Sequence, residues 1–518
     1  MLSFGVFLPY AEGFFHNFLG KMSLFFFLFL KGNFFKIAFF ASLFFLLRLI
    51  FVFLNCYKKY AKEKEFYRNL TLEKVLSLAK EKKKALPSFT IFIPAREEVL
   101  VVKNTLLRIS QLNYPLEKMK IVVITDEKER LNRKDNEKIT QEEVEETIKI
   151  ISKEKPALKI HHLEIPYDYD GQLFGQRLFR EVPSTKGRAL NYGLSKFHSF
   201  DFSAFFDTDD YPDKNCLLAV AYEYLKNPKK ELFQMPIFQC RNFFSITTFS
   251  KIIALGQSFT HEFFLPWILT WLPFLGGTNF FVKTKYLIKV GGFRLDSITE
   301  DLELGVRLYL QENIWPYFLP LASSEQTPFS FCQYFRQRQR WGLGQMKVLS
   351  DLKTLKNEKK LKENLKIKAN HLYWKLIFYG PLEWFFYFLL ATFSALNLLF
   401  SLGKNFLVLL YLNDFSFFHS LVLTFKQSAS LISLILKATL ILIAFSFYLY
   451  LRYRQYIYHP KINFSFILGV LKTILEVIFI LPFILFLYPL PFVSAFFRHF
   501  LNKKREPVWI KTPRTAET

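Results

Sequence analysis

Apolar residues fall along this chain in three regimes. Between 35 and 56 (FKIAFFASLFFLLRLIFVFLNC) they run nearly unbroken, for about 22 positions, the length that crosses a bilayer once as a helix. Arg48 interrupts that run and would have to face protein or snorkel. The stretch 2–31 is apolar but broken by Gly, His and Lys, which suits a second span or an interfacial helix. From 86 to about 350 the pattern changes to short β-rich runs alternating with amphipathic segments. Strands are predicted at 88–93, 120–124, 158–164, 202–206 and 279–283, and helices at 98–111, 139–154, 187–198, 215–226 and 301–311. Strand–helix alternation predicts an α/β fold with a mostly parallel sheet. Capping boxes are expected at Thr140/Glu143 and Ser297/Glu300.

Long apolar blocks return from 370. Spans are expected at 376–402 and 431–452, and 405–425 stays ambiguous because of Asn413 and Asp414. The block 463–500 carries Lys472, Glu476 and Pro482, Pro489 and Pro491, which favours an interfacial helix at 463–479 and then a broken, re-entrant segment. The expected organisation is therefore 1–57 membrane segments, 58–85 basic linker, 86–355 α/β domain, 356–500 membrane and interfacial helices, and 501–518 cytosolic tail.

Composition agrees with this division. Hydrophobic residues make up 51% of the 518, with 65 phenylalanines, which excludes a disordered chain. The net charge is +25. Its lysines gather beside the apolar blocks (Lys58, Lys59, Lys62, Lys64; Lys503, Lys504, Arg505), a placement that suits anionic lipid and cytosolic orientation rather than nucleic acid. Four scattered cysteines, Cys56, Cys216, Cys240 and Cys332, give neither a disulfide framework nor a zinc site.

Six short motifs carry candidate chemistry. Ile93-Pro94-Ala95-Arg96-Glu97-Glu98 follows a strand, and Asp126 ends another. Ligands of open α/β sheets bind at such carboxyl ends, although a solvated turn would look the same. Lys186-Gly187-Arg188 before a helix suits a diphosphate, or merely a basic helix start. In Asp207-Thr208-Asp209 alternate positions point the same way, so two carboxylates can approach one Mg²⁺ or Mn²⁺. Thr299-Glu300-Asp301 opens a helix, where acids are favoured anyway, but a carboxylate there could also serve as a general base. Gln337, Arg340 and Trp341 share a helix face that offers a diphosphate clamp and a flat platform for a sugar ring.

The ordered set Pro94…Glu98, Asp126, Lys186…Asn191, Asp207-x-Asp209, Gly276-Gly277-Thr278, Thr299-Glu300-Asp301 and Gln337-x-x-Arg340-Trp341 resembles membrane-embedded family 2 glycosyltransferases, the cellulose-synthase-like and hyaluronan-synthase-like enzymes. The tail 506–514 is also similar to the cytosolic end of some members. The resemblance implies a GT-A domain, a UDP-sugar donor and inversion at the anomeric carbon. It places Pro94, Glu98 and Asp126 at the nucleotide, Lys186 at the diphosphate and Asp207 at the nucleotide-sugar. It makes Asp209 the ligand of Mg²⁺ or Mn²⁺ and Asp301 the base. Gln337 and Arg340 close over the diphosphate, and Trp341, Glu300, Gly277 and Thr278 face the acceptor. Two departures stand out: Glu97 replaces a frequent Asn, and Asp126 is followed by Glu127 rather than preceded by a second aspartate.

The resemblance further implies a multi-pass protein of the plasma (inner) membrane with its catalytic domain in the cytosol. The implied acceptor is a growing β-linked polysaccharide, or alternatively a membrane lipid or polyprenyl carrier that receives one sugar. Accessory export subunits are compatible with the first. A non-catalytic scaffold is the reading from another class, and the complete set of aspartates weighs against it.

Overall fold

Alternating apolar residues in the first predicted strand decide the architecture. The computed structural model describes residues 34–134, 137–358, 362–389, 392, 443–459, scattered positions from 468 to 484, 487–501 and 513–516. Strand β1 (Phe89–Pro94) puts Phe89, Ile91 and Ile93 into one core cluster and Phe92 into another, so the sheet is covered on both faces. Its neighbours are β2 (Met119–Asp126), β3 (Lys159–Ile165) and β4 (Phe202–Phe205). Further on come β5 (Leu232–Gln234), β6 (Ile237–Phe238), β7 (Phe280–Lys283), β8 (Tyr317–Phe318) and β9 (Ser323–Ser324).

Seven strands form one sheet in the order β3-β2-β1-β4-β7-β5-β8. β7 runs antiparallel to both its neighbours and the other pairs are parallel. The expected mostly parallel α/β sheet is therefore present. β6 and β9 pair separately, Ile237 with Ser323 and Phe238 with Ser324. Phenylalanines form a row across three adjacent strands, with Phe205 stacked on Phe92 at 5.6 Å and on Phe280 at 4.6 Å between centroids. Stacked aromatic neighbours add to area burial, so part of the phenylalanine content is cross-strand cement for this sheet.

Register sets the position of the site. Pro94 pairs with Ile124 and Phe92 with Phe205, so the carboxyl ends of β1, β2 and β4 open at one edge of the sheet. The reversed strand β7 starts at that same edge, since Phe280 pairs with Phe205, and this brings Gly277 and Thr278 to the end of β4.

Several helices differ from expectation at their starts. The helix predicted at 98–111 is Val102–Ile109, because Glu97 adopts a left-handed φ of 55° and a turn fills 98–101. The Thr140/Glu143 box does not form. In the Thr140–Glu154 helix Glu142 accepts from the Ile139 amide, while the Thr140 hydroxyl accepts from the Glu98 amide at 2.8 Å and donates to Glu129. Glu143 instead pairs with Lys138. The Ser297/Glu300 box is also absent: Thr299 is the cap of the Glu300–Glu312 helix, and Ser297 lies two positions too early, bonding the Thr299 carbonyl.

The chain divides into two compact units, Met1–Asn55 and Cys56–Thr518. The predicted 35–56 span is helical, as part of a helix Phe34–Arg68 that continues through the lysine-rich segment. Among the described residues no helix is long and apolar enough to cross a membrane. The expected segment 2–31, the ambiguous 405–425, the end of 376–402 and most of 431–452 and 463–479 lie outside the described residues. Cys216 and Cys240 are buried and Cys332 is exposed.

Candidate active site

The carboxyl ends of β1, β2 and β4 open onto a cavity of about 290 Å³. Pro94, Glu98, Asp126, Lys186, Asp207, Gly277, Glu300, Asp301, Gln337, Arg340 and Trp341 all line it. Eleven of the thirteen residues singled out from sequence thus meet in one hollow, although they are spread over some 250 positions of chain. Asp209 and Thr278 are not among its lining residues. Thr278 is buried beneath, where its hydroxyl donates to Asp210 and accepts from the Asp207 amide at 3.1 Å. It holds the acidic turn in shape rather than facing an acceptor.

Each wall follows from local sequence. Thr185 caps the Lys186–Lys196 helix by accepting from the Arg188 amide, which fixes Lys186 as the first helical residue. The Lys186 ammonium donates to Asp207 and to the Gly277 carbonyl at 2.8 Å. Burial would lower its pKa, but Asp207, Glu300 and Asp301 outweigh burial and raise it, so it stays charged. Asp126 is already engaged: it accepts from Ser184 at 2.5 Å, Arg188 at 3.2 Å and the Lys128 amide at 3.1 Å. A nucleotide would meet an aspartate whose charge is compensated by Arg188. Glu97, at its left-handed φ, stands where Asn would be tolerated more easily. Its amide is held by Glu129 at 2.7 Å.

Gly277 has a reason to be glycine. Its φ is +84°, and a Cβ there would stand 2.7 Å from the Asp301 carboxylate. The absent side chain lets the base candidate approach the β7 turn. Asp301 accepts from the Leu302 amide at 2.8 Å. Burial raises its pKa despite that amide and Lys186. Glu300 is pushed up to about 7, first by burial and then by Asp301. The pair therefore holds protons far more readily than surface carboxylates do.

A second acidic cluster lies beside the first. Asp207, Asp209 and Glu325 have ligand atoms within 4.8 Å of one another. Burial raises the pKa of Asp209, and burial with neighbouring aspartates raises that of Glu325. Asp210, which borders them, is lifted to about 8 by burial, Asp207 and Asp209. Crowded carboxylates of this kind are relieved by a cation, and their hard oxygens suit Mg²⁺ or Mn²⁺. The residues fit a divalent ion. The cations they do meet belong to the chain: besides Lys186 at Asp207, Arg514 pairs with Asp209 at 2.8 Å and approaches Glu98 at 3.7 Å. Thr515 anchors that segment, bonding Gln326 through its amide and its carbonyl at 2.8 Å each.

Sequence reasoning missed Glu325, Arg514, Gln239, His261 and Arg338. Arg338 lies 3.8 Å from the centre of the Trp341 ring and donates to Gln239, which in turn donates to Glu325. One relay thus joins the aromatic platform to the acidic cluster. The first arginine of Gln337-Arg338-Gln339-Arg340-Trp341 was the available signal, since a cation near a tryptophan can lie over its ring face. Glu325 carried no local pattern, and Arg514 stood only at the end of the 506–514 tail, with no site role assigned to it.

A family model described as glycosyl transferase family group 2 matches residues 204–497. That range contains Asp207, Asp209, Asp301 and Gln337–Trp341, but not Pro94, Glu98, Asp126 or Lys186. A probable glycosyltransferase of Bacillus subtilis, YdaM, is 25% identical over 317 residues, 60% of this chain and 67% of that protein. The cellulose synthase catalytic subunit of Pseudomonas fluorescens is 24% identical over 51% of this chain and 31% of its own length. A glucomannan 4-beta-mannosyltransferase of Arabidopsis thaliana is 28% identical over 31% of this chain and 30% of its own. The solved mannosyltransferase PcManGT of Pyrobaculum calidifontis, in complex with GDP-Man and Mn²⁺, aligns at 11% identity with a TM-score of 0.40, covering 88% of this chain and 99% of that one.

Proposed function

Because the chain belongs to glycosyl transferase family group 2 and is a glycosyltransferase, we propose that it moves a sugar from a UDP-sugar to a hydroxyl of a growing β-linked polysaccharide, with inversion. The observation that carries this reading is the convergence of Asp301, Lys186 and Arg340 on one cavity that Trp341 also lines. A proton acceptor, two fixed cations and a sugar-sized platform are what a single displacement at an anomeric carbon needs.

In this account Lys186 and Arg340 stand against the charge that grows on the departing diphosphate. Burial lowers the pKa of Arg340, yet Glu300, Asp301 and Asp207 hold the guanidinium in its charged form. Asp301 takes the proton of the attacking hydroxyl, and its raised proton affinity suits that task. In this reading Asp301 is the one base and no side chain attacks the sugar, so there is one displacement, hence inversion. Asp209, with Asp207 and Glu325, would hold a divalent ion, which when bound supplies positive charge beside the diphosphate.

The polysaccharide acceptor draws support from the names of the cellulose and glucomannan relatives. Placement at the plasma (inner) membrane with the site in the cytosol belongs to the same proposal. It draws on the apolar blocks and their lysine flanks, and on the cytosolic supply of nucleotide-sugars. The test is purified protein in lipid, offered a panel of radiolabelled UDP-sugars with Mg²⁺ or Mn²⁺, followed by sizing of the product. A polymer supports the proposal. A single-sugar glycolipid shifts the acceptor to a lipid or polyprenyl carrier, and no product from any donor contradicts the reading.

A further inference from the structure

The helix Thr248–Phe263 buries Phe249, Ile253, Leu255 and Phe263 and ends with two polar neighbours, His261 and Glu262. Glu262 turns into a buried ionic cluster with Arg452, Lys64 and Tyr453. His261 lines the catalytic cavity instead.

Its ring is fixed in one tautomer. The Ile237 amide donates to His261 Nδ1 at 3.3 Å, and an amide can only donate, so Nδ1 carries no proton. Burial, with the Arg338 charge second, pushes the ring's pKa down to about 3, so it is neutral throughout the working range. The one proton of the neutral ring is then on Nε2, and no described residue accepts from that nitrogen. The Oε1 of Gln337, on another wall of the same cavity, is buried without a hydrogen-bond partner among the described residues. An N–H donor and a carbonyl acceptor thus wait in a cavity also lined by Trp341. A sugar hydroxyl is a donor and an acceptor at once, and buried polar atoms left without partners are costly unless a ligand satisfies them.

We propose that His261 is an acceptor-binding residue, its Nε2–H donating to a hydroxyl of the acceptor sugar that in turn donates to Gln337. The inference rests on the polysaccharide reading above. It makes His261 a source of acceptor specificity with no part in proton transfer.

Two substitutions separate this role from a structural one. His261→Asn keeps an acceptor near Nδ1 for the Ile237 amide but lacks the distal donor. His261→Gln keeps a donor near Nε2 but loses the acceptor for that amide. The full-length protein in lipid is assayed with the UDP-sugar it uses and with cellohexaose and β-1,4-mannohexaose as added acceptors. His261→Asn is expected to raise the acceptor KM roughly tenfold, as loss of one well-placed hydrogen bond does, with the donor KM held at wild type. His261→Gln is expected to return the acceptor KM to within about threefold of wild type. The reverse pattern, or two variants that behave alike, overturns the assignment. If the wild type consumes donor but extends neither hexasaccharide, the polysaccharide reading fails first and this inference falls with it.

Discussion

Two acidic pairs lie at or just beneath the same cavity, and the chain treats them differently. Asp207 and Asp209 each meet a cation directly, the first Lys186 and the second Arg514. Glu300 and Asp301 sit at a helix start with no ion pair to any described residue. Burial raises the proton affinity of both, as it does that of Asp209, so the cation contact is what separates the pairs. Residue type is nearly the same in the two pairs, so environment makes the division. A carboxylate beside positive charge is favoured in its ionised form, the form that binds a metal ion. One that is desolvated and left unpaired is suited to accept a proton.

The comparison breaks most readily at Asp301. Asp301→Asn is expected to lower turnover by about 10²–10⁴-fold, the contribution of a general base, while UDP affinity measured by calorimetry stays close to wild type. Near-normal turnover would remove the base assignment. Asp209→Ala should fall next, by about 10²-fold or more, together with the dependence on added Mg²⁺ or Mn²⁺. Activity that persists in excess chelator would sink the metal half of the comparison.

Arg514 offers a smaller lever. Its guanidinium lies on the carboxylate that a divalent ion would use. Arg514→Gln removes a competing cation, so the half-saturating Mn²⁺ concentration, read from rate against metal, should drop roughly threefold. A rise instead would mean that Arg514 helps to build the cation site.

The pH profile gives the smallest effect. A base works only when ionised, and the Glu300/Asp301 pair is shifted upward, Glu300 to about 7. Activity should therefore be full above neutrality and decline as pH falls through that region. Glu300→Gln takes one negative charge from beside Asp301, which then ionises at lower pH. The acid limb should move down by about half to one pH unit. An unmoved limb would uncouple the pair.

Much of this was legible in the sequence because both sheet and site rest on short-range patterns. Short apolar runs in Phe89–Pro94 and Met119–Asp126 announce strands buried on both faces, and chemistry at strand ends announces a cavity. Contacts between distant segments were not legible. Glu325 follows a two-residue strand, and Arg514 reaches the site from the far end of the chain. Thr278 lay in a recognisable motif, but its hydroxyl turns to Asp210, a choice made by packing rather than spacing. Asp126 was placed correctly at its strand end, while its partnership with Arg188 depends on a helix sixty residues further along. The Thr140 capping box failed for a related reason, its hydroxyl having a tertiary partner in Glu129, whereas the Ser297 box failed locally because Thr299 is the cap.

The central claim is that Asp301 alone activates the acceptor and the sugar is displaced once. Proton NMR of the first product formed from an α-linked UDP-sugar tests this most directly. The account predicts a β-glycosidic linkage, visible in the anomeric proton coupling of a gluco-configured sugar. An α-linkage would require a second displacement or a protein nucleophile, and would contradict it.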